Sequence, residues 1–216
     1  MTRPIISPRT RAPRCIRSSD DDSRHDVALR RTRAQATAAN VTSELTIWTI
    51  GHSTRPLDEF LALLDENGIQ TLADVRSHPG SRHCPQYGQA ALAESLVRHG
   101  LHYRWIPTMG GRRKVRADSV NTAWRNASLR GYADYMQTED FAAGLDELLG
   151  LAQDTRTTIM CAEAVWWRCH RSMVADALKA RGVRVWHIMG PDSVIEHPWT
   201  APAHIVDGML TYVPNE

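Results

Sequence analysis

Lysine is almost missing from this chain: two lysines stand against 24 arginines in 216 residues. A ratio so uniform reads as coding bias, so arginine richness alone names no partner. Cysteine is sparse as well, four in all. That is too few for the disulfide framework of a secreted domain, so a thiol that matters here is a nucleophile, a ligand or a redox group. No stretch approaches the ~18 uninterrupted apolar residues of a membrane-spanning helix, and the amino terminus lacks the apolar core of a secretory signal. The composition predicts a cytoplasmic protein that does not engage a membrane. With 42% hydrophobic and 23% charged residues the chain is neither fibrous nor wholly disordered, and its length fits one domain with an appendage. There is no internal repeat.

The appendage is residues 1–44. Its first 40 residues carry nine arginines against four aspartates, which leaves the remainder near −3 of the total +2. Pro4, Pro8, Pro13 and the run Ser18-Ser19-Asp20-Asp21-Asp22-Ser23 come with almost no large apolar side chains. Such a composition cannot offset its ordering entropy, and the segment is expected to be a disordered Arg-rich extension.

From residue 45 short apolar runs alternate with helical periodicities, the pattern of βαβ units. Leu45 to Ile50 reads as a buried strand. Leu57, Phe60, Leu61 and Leu64 fall on one helical face after Pro56, and Gly68 ends that helix. Strands follow at Thr71–Val75, His102–Ile106, Thr157–Cys161 and Val183–Ile188. Helices are expected at Ala90–His99, Tyr132–Met136, Phe141–Leu151 and from about Cys169 to Gly182. The proline-rich tail from Gly190 should wrap the surface, with a short edge strand at Leu210–Val213. The fold class this spells is a single three-layer Rossmann-like α/β domain, residues 45–216, with a mainly parallel sheet.

Ligands of such sheets bind beyond the carboxyl ends of the strands, and three strand ends here carry polar clusters. The first is Gly51-His52-Ser53. The second is Asp74-Val75-Arg76 with Ser81 and Arg82 beyond it. The third is Cys161-Ala162-Glu163 leading to Cys169-His170-Arg171. If the three strands are neighbours, the clusters share one crevice.

These motifs, with Pro79, Gly110-Gly111 and the closing segment Ile195-Glu196-His197-Pro198 through Ile205 to Tyr212, resemble the domain of unknown function 488 family over residues 46–213. The resemblance implies a compact α/β domain with those residues lining one site, and it carries no assigned activity. Met109 and Val165-Trp166-Trp167 depart from the family's usual pattern.

Read by chemistry, Cys161 is the sharpest candidate nucleophile, since Arg168, His170 and Arg171 nearby favour a thiolate. Its bland alternative is a small buried hydrophobe. Cys169, near a helix start, can stabilise or bind an anion. Arg76, Arg82 and Arg171 are convergent guanidinium groups suited to a carboxylate or phosphate, or Arg76 simply pairs with Asp74 or Glu163. Glu163 can assist as a base, Asp74 can orient its neighbours, and His52 can move protons or, with Ser53, cap a loop. Metal ligation by Cys161, Glu163, Cys169, His170 and His52 is the lesser reading, because Cys-x7-Cys is no usual zinc spacing and adjacent Cys and His point apart. A thiol redox pair is open on the same terms. The segment Cys161 to Arg168 has one residue too many, and no glycines, for the loop of thiol phosphatases.

The basic run Arg112 to Arg116, with Tyr103, Trp105 and Trp124, could hold a short single strand, but the acidic balance of the remainder argues against duplex binding. Two functions remain. The leading one is a cysteine-dependent hydrolase or transferase for a small phosphate-bearing or nucleoside-like substrate. The rival is a non-catalytic nucleotide or nucleic-acid-binding module. An anionic small molecule is the expected partner, and no motif designates a cofactor.

Overall fold

The structure is a computed structural model and describes residues 44–80 and 82–214. The expected disordered extension, Glu44 apart, lies outside the described residues. Six strands form one sheet: β1 (Thr46–Gly51), β2 (Thr71–Asp74), β3 (His102–Trp105), β4 (Thr157–Cys161), β5 (Arg184–Gly190) and β6 (Ser193–Glu196). Their spatial order is β3-β2-β4-β1-β5-β6, parallel throughout except for β6, which is antiparallel to β5. Five helices accompany them: α1 (Leu57–Glu66), α2 (Gln89–Arg98), α3 (Ala127–Tyr135), α4 (Glu139–Asp154) and α5 (Arg171–Ala180).

The three layers follow from strand alternation, because successive side chains point to opposite faces. Trp48, Ile50, Leu72, Met160 and Ile188 project to one face and meet Phe60, Leu61 and Leu64 of α1 and Leu92 and Leu96 of α2. Ile47, Ala73, Val75, Ile159 and Val185 project to the other and meet Tyr132, Phe141, Leu145, Leu148, Met173 and Val174 from α3, α4 and α5. Burial on both faces explains why the central strands read as continuous apolar runs rather than alternating ones. Asn126 accepts from the backbone N–H groups of Ser128 and Leu129 at the start of α3, and Thr138 caps α4 in the same way. No helix among the described residues is long and apolar enough to cross a membrane.

The tail departs from expectation twice. It adds β6 to the sheet, and the expected edge strand is instead half of a separate hairpin, β7 (His204–Val206) with β8 (Met209–Thr211). The hairpin has a local cause. Asp207 and Gly208 take φ of 50° and 78°, the left-handed pair that an Asp-Gly two-residue turn supplies.

Candidate functional site

Strands β1 and β4 are hydrogen-bonded neighbours, but the helices that follow them, α1 and α5, pack on opposite faces of the sheet. The crevice beyond their carboxyl ends is therefore a point where the winding reverses, the place where open α/β sheets take ligands. β2 borders β4 on its other side, so all three polar strand ends meet there. The ladder continues past the strands: the His52 N–H donates to the Cys161 carbonyl at 3.0 Å and the Ser53 N–H to that of Ala162 at 2.9 Å. Gly51 must be glycine at this crossing, since a Cβ would stand 1.9 Å from the Glu163 carbonyl oxygen.

A cavity of about 670 Å³ opens at this place, with Cys161, Cys169 and His170 in its lining beside His52 and Arg76. Arg76 is held by a buried carboxylate. Its Nε donates to Asp74 Oδ1 at 2.8 Å and its Nη2 to Oδ2 at 2.6 Å, while the Tyr103 hydroxyl donates to Oδ2 at 2.8 Å. On the far side Nη1 lies 3.2 Å from His52 Nε2. His52 Nδ1 lies 2.8 Å from the Ser53 carbonyl oxygen, which can only accept, so the ring proton sits on Nδ1 and Nε2 accepts from Arg76. The ring also stacks on Tyr87 at 4.1 Å. Burial, reinforced by the positive charge of Arg76, lowers the His52 imidazole to about 4. His52 is thus neutral at neutral pH, with both ring nitrogens hydrogen-bonded. One N–H on Nη1 and one on Nη2 have no further hydrogen bond among the described residues.

The thiols sit opposite a single imidazole nitrogen. His170 Nε2 is 3.3 Å from the Val75 carbonyl oxygen, to which it donates. Nδ1 is therefore the acceptor, 3.5 Å from Cys169 Sγ and 3.9 Å from Cys161 Sγ. Both cysteines are buried, at 3% and 7% exposure. The two thiols differ in their surroundings. The neighbouring Cys161 thiol and then Arg171 lower Cys169 to about 6 against the cost of burial. Cys161, beside Cys169 and buried, is pushed up to about 12. Gly111 lies against this group: a Cβ there would stand 2.8 Å from His170 Nδ1.

Arg171, expected to hold an anion, turns its two Nη groups to protein acceptors, and its buried Nε has no hydrogen-bond partner among the described residues. At 1% exposure it donates from Nη2 to the Glu163 and Ala164 carbonyls at 2.6 and 3.4 Å, and from Nη1 to Thr49 Oγ1 at 3.2 Å. From Thr49 a directed chain runs through the core. Thr49 Oγ1 lies 2.7 Å from His187 Nδ1, His187 Nε2 lies 2.9 Å from His197 Nδ1, and His197 Nε2 lies 3.0 Å from Asp176 Oδ1. Asp176 also accepts from the hydroxyls of Thr200 and Tyr212 at 2.5 and 2.9 Å. Trp166 stacks on His187 at 4.4 Å, and burial holds that imidazole far below its ordinary value, at about 2.

The remaining expected residues separate by position. Ser53 and the exposed Glu163 line the cavity, Asp74 stands behind Arg76, and the exposed Arg82 is not in the lining. Ser81 lies outside the described residues. The expected guanidinium trio becomes Arg76 with Arg112 and Arg168, which both line the cavity. Arg112 had stood out only as part of a basic run. In that run Arg113 donates to the Gly110 and Thr108 carbonyls and Arg116 pairs with Asp118. The nearby aromatics have internal partners too: Trp105 donates to the Arg76 carbonyl and Trp124 packs on Tyr212. The buried chain from Thr49 to Asp176 was not anticipated, although a histidine inside an apolar strand, Val185-Trp186-His187-Ile188, was its signal.

A doubly wound sheet with its polar groups gathered at the winding reversal is a Rossmann-like α/β domain. The chain belongs to the family described as domain of unknown function DUF488, whose model matches residues 56–178. The match takes in Arg76, Cys161, Cys169, His170 and Arg171 and begins just after His52 and Ser53. Comparison with curated proteins and with solved structures gave no match.

Proposed function

We propose that this chain is an enzyme, a cysteine-dependent hydrolase or transferase acting on a small phosphate-bearing or nucleoside-like substrate. The observation that carries the reading is His170. Its Nδ1 lone pair faces two sulfurs at 3.5 and 3.9 Å while Nε2 is fixed on the Val75 carbonyl. A nucleophile, a base and a third group that orients the base are the parts of an activated thiol.

In this reading the anion binds the free N–H groups of Arg76, with Arg112 and Arg168 adding positive charge around it. The Cys169 sulfur attacks the electrophilic centre, phosphorus or carbonyl carbon. His170 Nδ1 takes the proton of the Cys169 thiol as one S–P or S–C bond forms, the bond to the leaving group breaks, and the leaving group takes that proton from Nδ1. Water, or a second substrate in a transferase, then attacks the intermediate, gives its proton to His170 or to Glu163 on the cavity wall, and frees the thiolate. The Cys161 thiol donates to the thiolate, and His52 and Asp74 hold Arg76 in place.

The test is peptide-resolved alkylation of the native, reduced chain by iodoacetamide near neutral pH. Cys169 should react first, and His170→Ala should slow it. An inert Cys169 in folded protein would overturn covalent catalysis and leave a binding module lined by arginines.

A further inference from the structure

We propose that Cys161, Cys169 and His170 also form a binding site for a thiophilic divalent metal of the Zn2+ class, a role that would switch the thiol site off. Three ligand atoms, Cys161 Sγ, Cys169 Sγ and one His170 ring nitrogen, all lie within 4.8 Å of one another. Zinc binds thiolate at about 2.3 Å and imidazole at about 2.0–2.1 Å in a tetrahedron, which sets the S···N edge near 3.6 Å. The observed S···N separations of 3.5 and 3.9 Å bracket that edge, so both sulfurs already stand at ligand distance from one nitrogen.

Sequence spacing argued against such a site, and local backbone geometry is what permits it. The turn Trp166–Arg168 brings the chain back from β4. Cys169 is then extended, with φ −127° and ψ 151°, whereas His170 is helical, with φ −55° and ψ −16°. That change of conformation between adjacent residues turns both side chains to one side. The metal needs an unprotonated nitrogen, and the bond from Nε2 to the Val75 carbonyl leaves Nδ1 in that state. Metal-binding histidines are commonly held in this way, with the other ring nitrogen donating to a carbonyl that fixes the ring. Gly111 keeps the approach clear, since a Cβ would stand 2.8 Å from Nδ1.

The arrangement supplies three protein ligands, and the fourth position faces the cavity they line. Binding involves no electron transfer. The thiol protons leave to solvent, two thiolates neutralise the dication, and Cys169 and His170 lose the lone pairs that catalysis would use. Only the consequence for activity rests on the function proposed above; the binding itself does not.

The experiment is titration of the full, reduced, metal-stripped chain with Co2+ as a spectroscopic probe, followed by displacement with Zn2+. One equivalent of Co2+ should give thiolate charge-transfer absorption and the visible bands of a tetrahedral ion. Zn2+ should abolish both. Cys161→Ser and Cys169→Ser should remove the signal, and Cys84→Ser should retain it. Should a serine variant misfold, the wild-type chain still reports, because Zn2+ should shield Cys161 and Cys169 from alkylation while Cys15 and Cys84 react as before. Absence of thiolate absorption, or a band that survives Cys161→Ser, would overturn the site. Metal binding with a metal-free Cys169 that proves inert keeps this proposal and removes the enzymatic one; a reactive Cys169 without metal binding does the reverse.

Discussion

His187 Nε2 lies 2.9 Å from His197 Nδ1, and neither ring is more than 1% exposed. The hydrogen bonds on either side set both tautomers. The Asp176 carboxylate accepts, so His197 carries a proton on Nε2, and its Nδ1 faces His187 Nε2. The Thr49 hydroxyl then donates to His187 Nδ1 and accepts from Arg171. Arg171 and Asp176 are thus joined through Thr49 and two buried imidazoles, and the Arg171 end holds the Glu163 and Ala164 carbonyls beside the cavity.

Asp176→Ala removes the acceptor for His197, Thr200 and Tyr212 together. It should destabilise the fold by about 3–5 kcal/mol, the usual cost of stranding buried charged or polar partners. A denaturant midpoint close to wild type would show that the chain is not what anchors the tail.

Acid should act through the depressed histidines. His187 falls to about 2 and His52 to about 4 from an ordinary 6.5. The unfolded chain therefore takes up protons that the folded one refuses. Their contribution is fully present above about pH 6.5 and is lost as pH falls, through about pH 4 for His52 and further for His187. By about pH 5 each has given up about 2 kcal/mol. Unfolding free energy measured from pH 7 to pH 5 should fall accordingly, and His187→Gln should flatten the slope. A flat profile in the wild type would contradict neutral buried imidazoles.

Arg76 should be the anion's principal donor. Inorganic phosphate should slow alkylation of Cys169, and Arg76→Lys should raise the phosphate needed by about tenfold, since lysine cannot hold Asp74, His52 and an anion at once. Equal protection in both proteins would move the anion away from Arg76.

Two glycines at the site should fail differently. Gly51→Ala drives a Cβ to 1.9 Å from the backbone oxygen of Glu163 and leaves no room for relaxation, so little soluble, folded protein is expected. Gly111→Ala meets the His170 ring at 2.8 Å and should cost about 1–3 kcal/mol while slowing Cys169 alkylation through displacement of Nδ1. Circular dichroism and alkylation rates on the two variants would show whether that ordering holds.

The three strand ends were legible because a buried strand advertises itself by composition and a polar cluster at its end stands out against it. Their adjacency was a conditional inference, met by the pairing of β1 and β2 with β4. What stayed hidden was set by single dihedral angles or by long-range packing. The common direction of Cys169 and His170 depends on the backbone change between them. The meeting of His187, His197 and Asp176 depends on β6 folding back along β5, which the prolines of the tail obscured. The positions of Arg76 and Arg171 diverged for the same reason: both are basic residues beside a strand end or helix start, yet one lines the cavity and the other is buried against Thr49 and the Glu163 and Ala164 carbonyls.

The central claim is that Cys169, with His170 as its base, transforms a small anionic substrate. The most direct measurement is incubation of wild-type chain and of Cys169→Ala with a pool of phosphorylated metabolites and nucleotides, with every component followed by mass spectrometry. Selective depletion of a metabolite by the wild type, absent in Cys169→Ala, is the predicted result. Retention of an unchanged anion by both proteins alike, with nothing consumed, would contradict it.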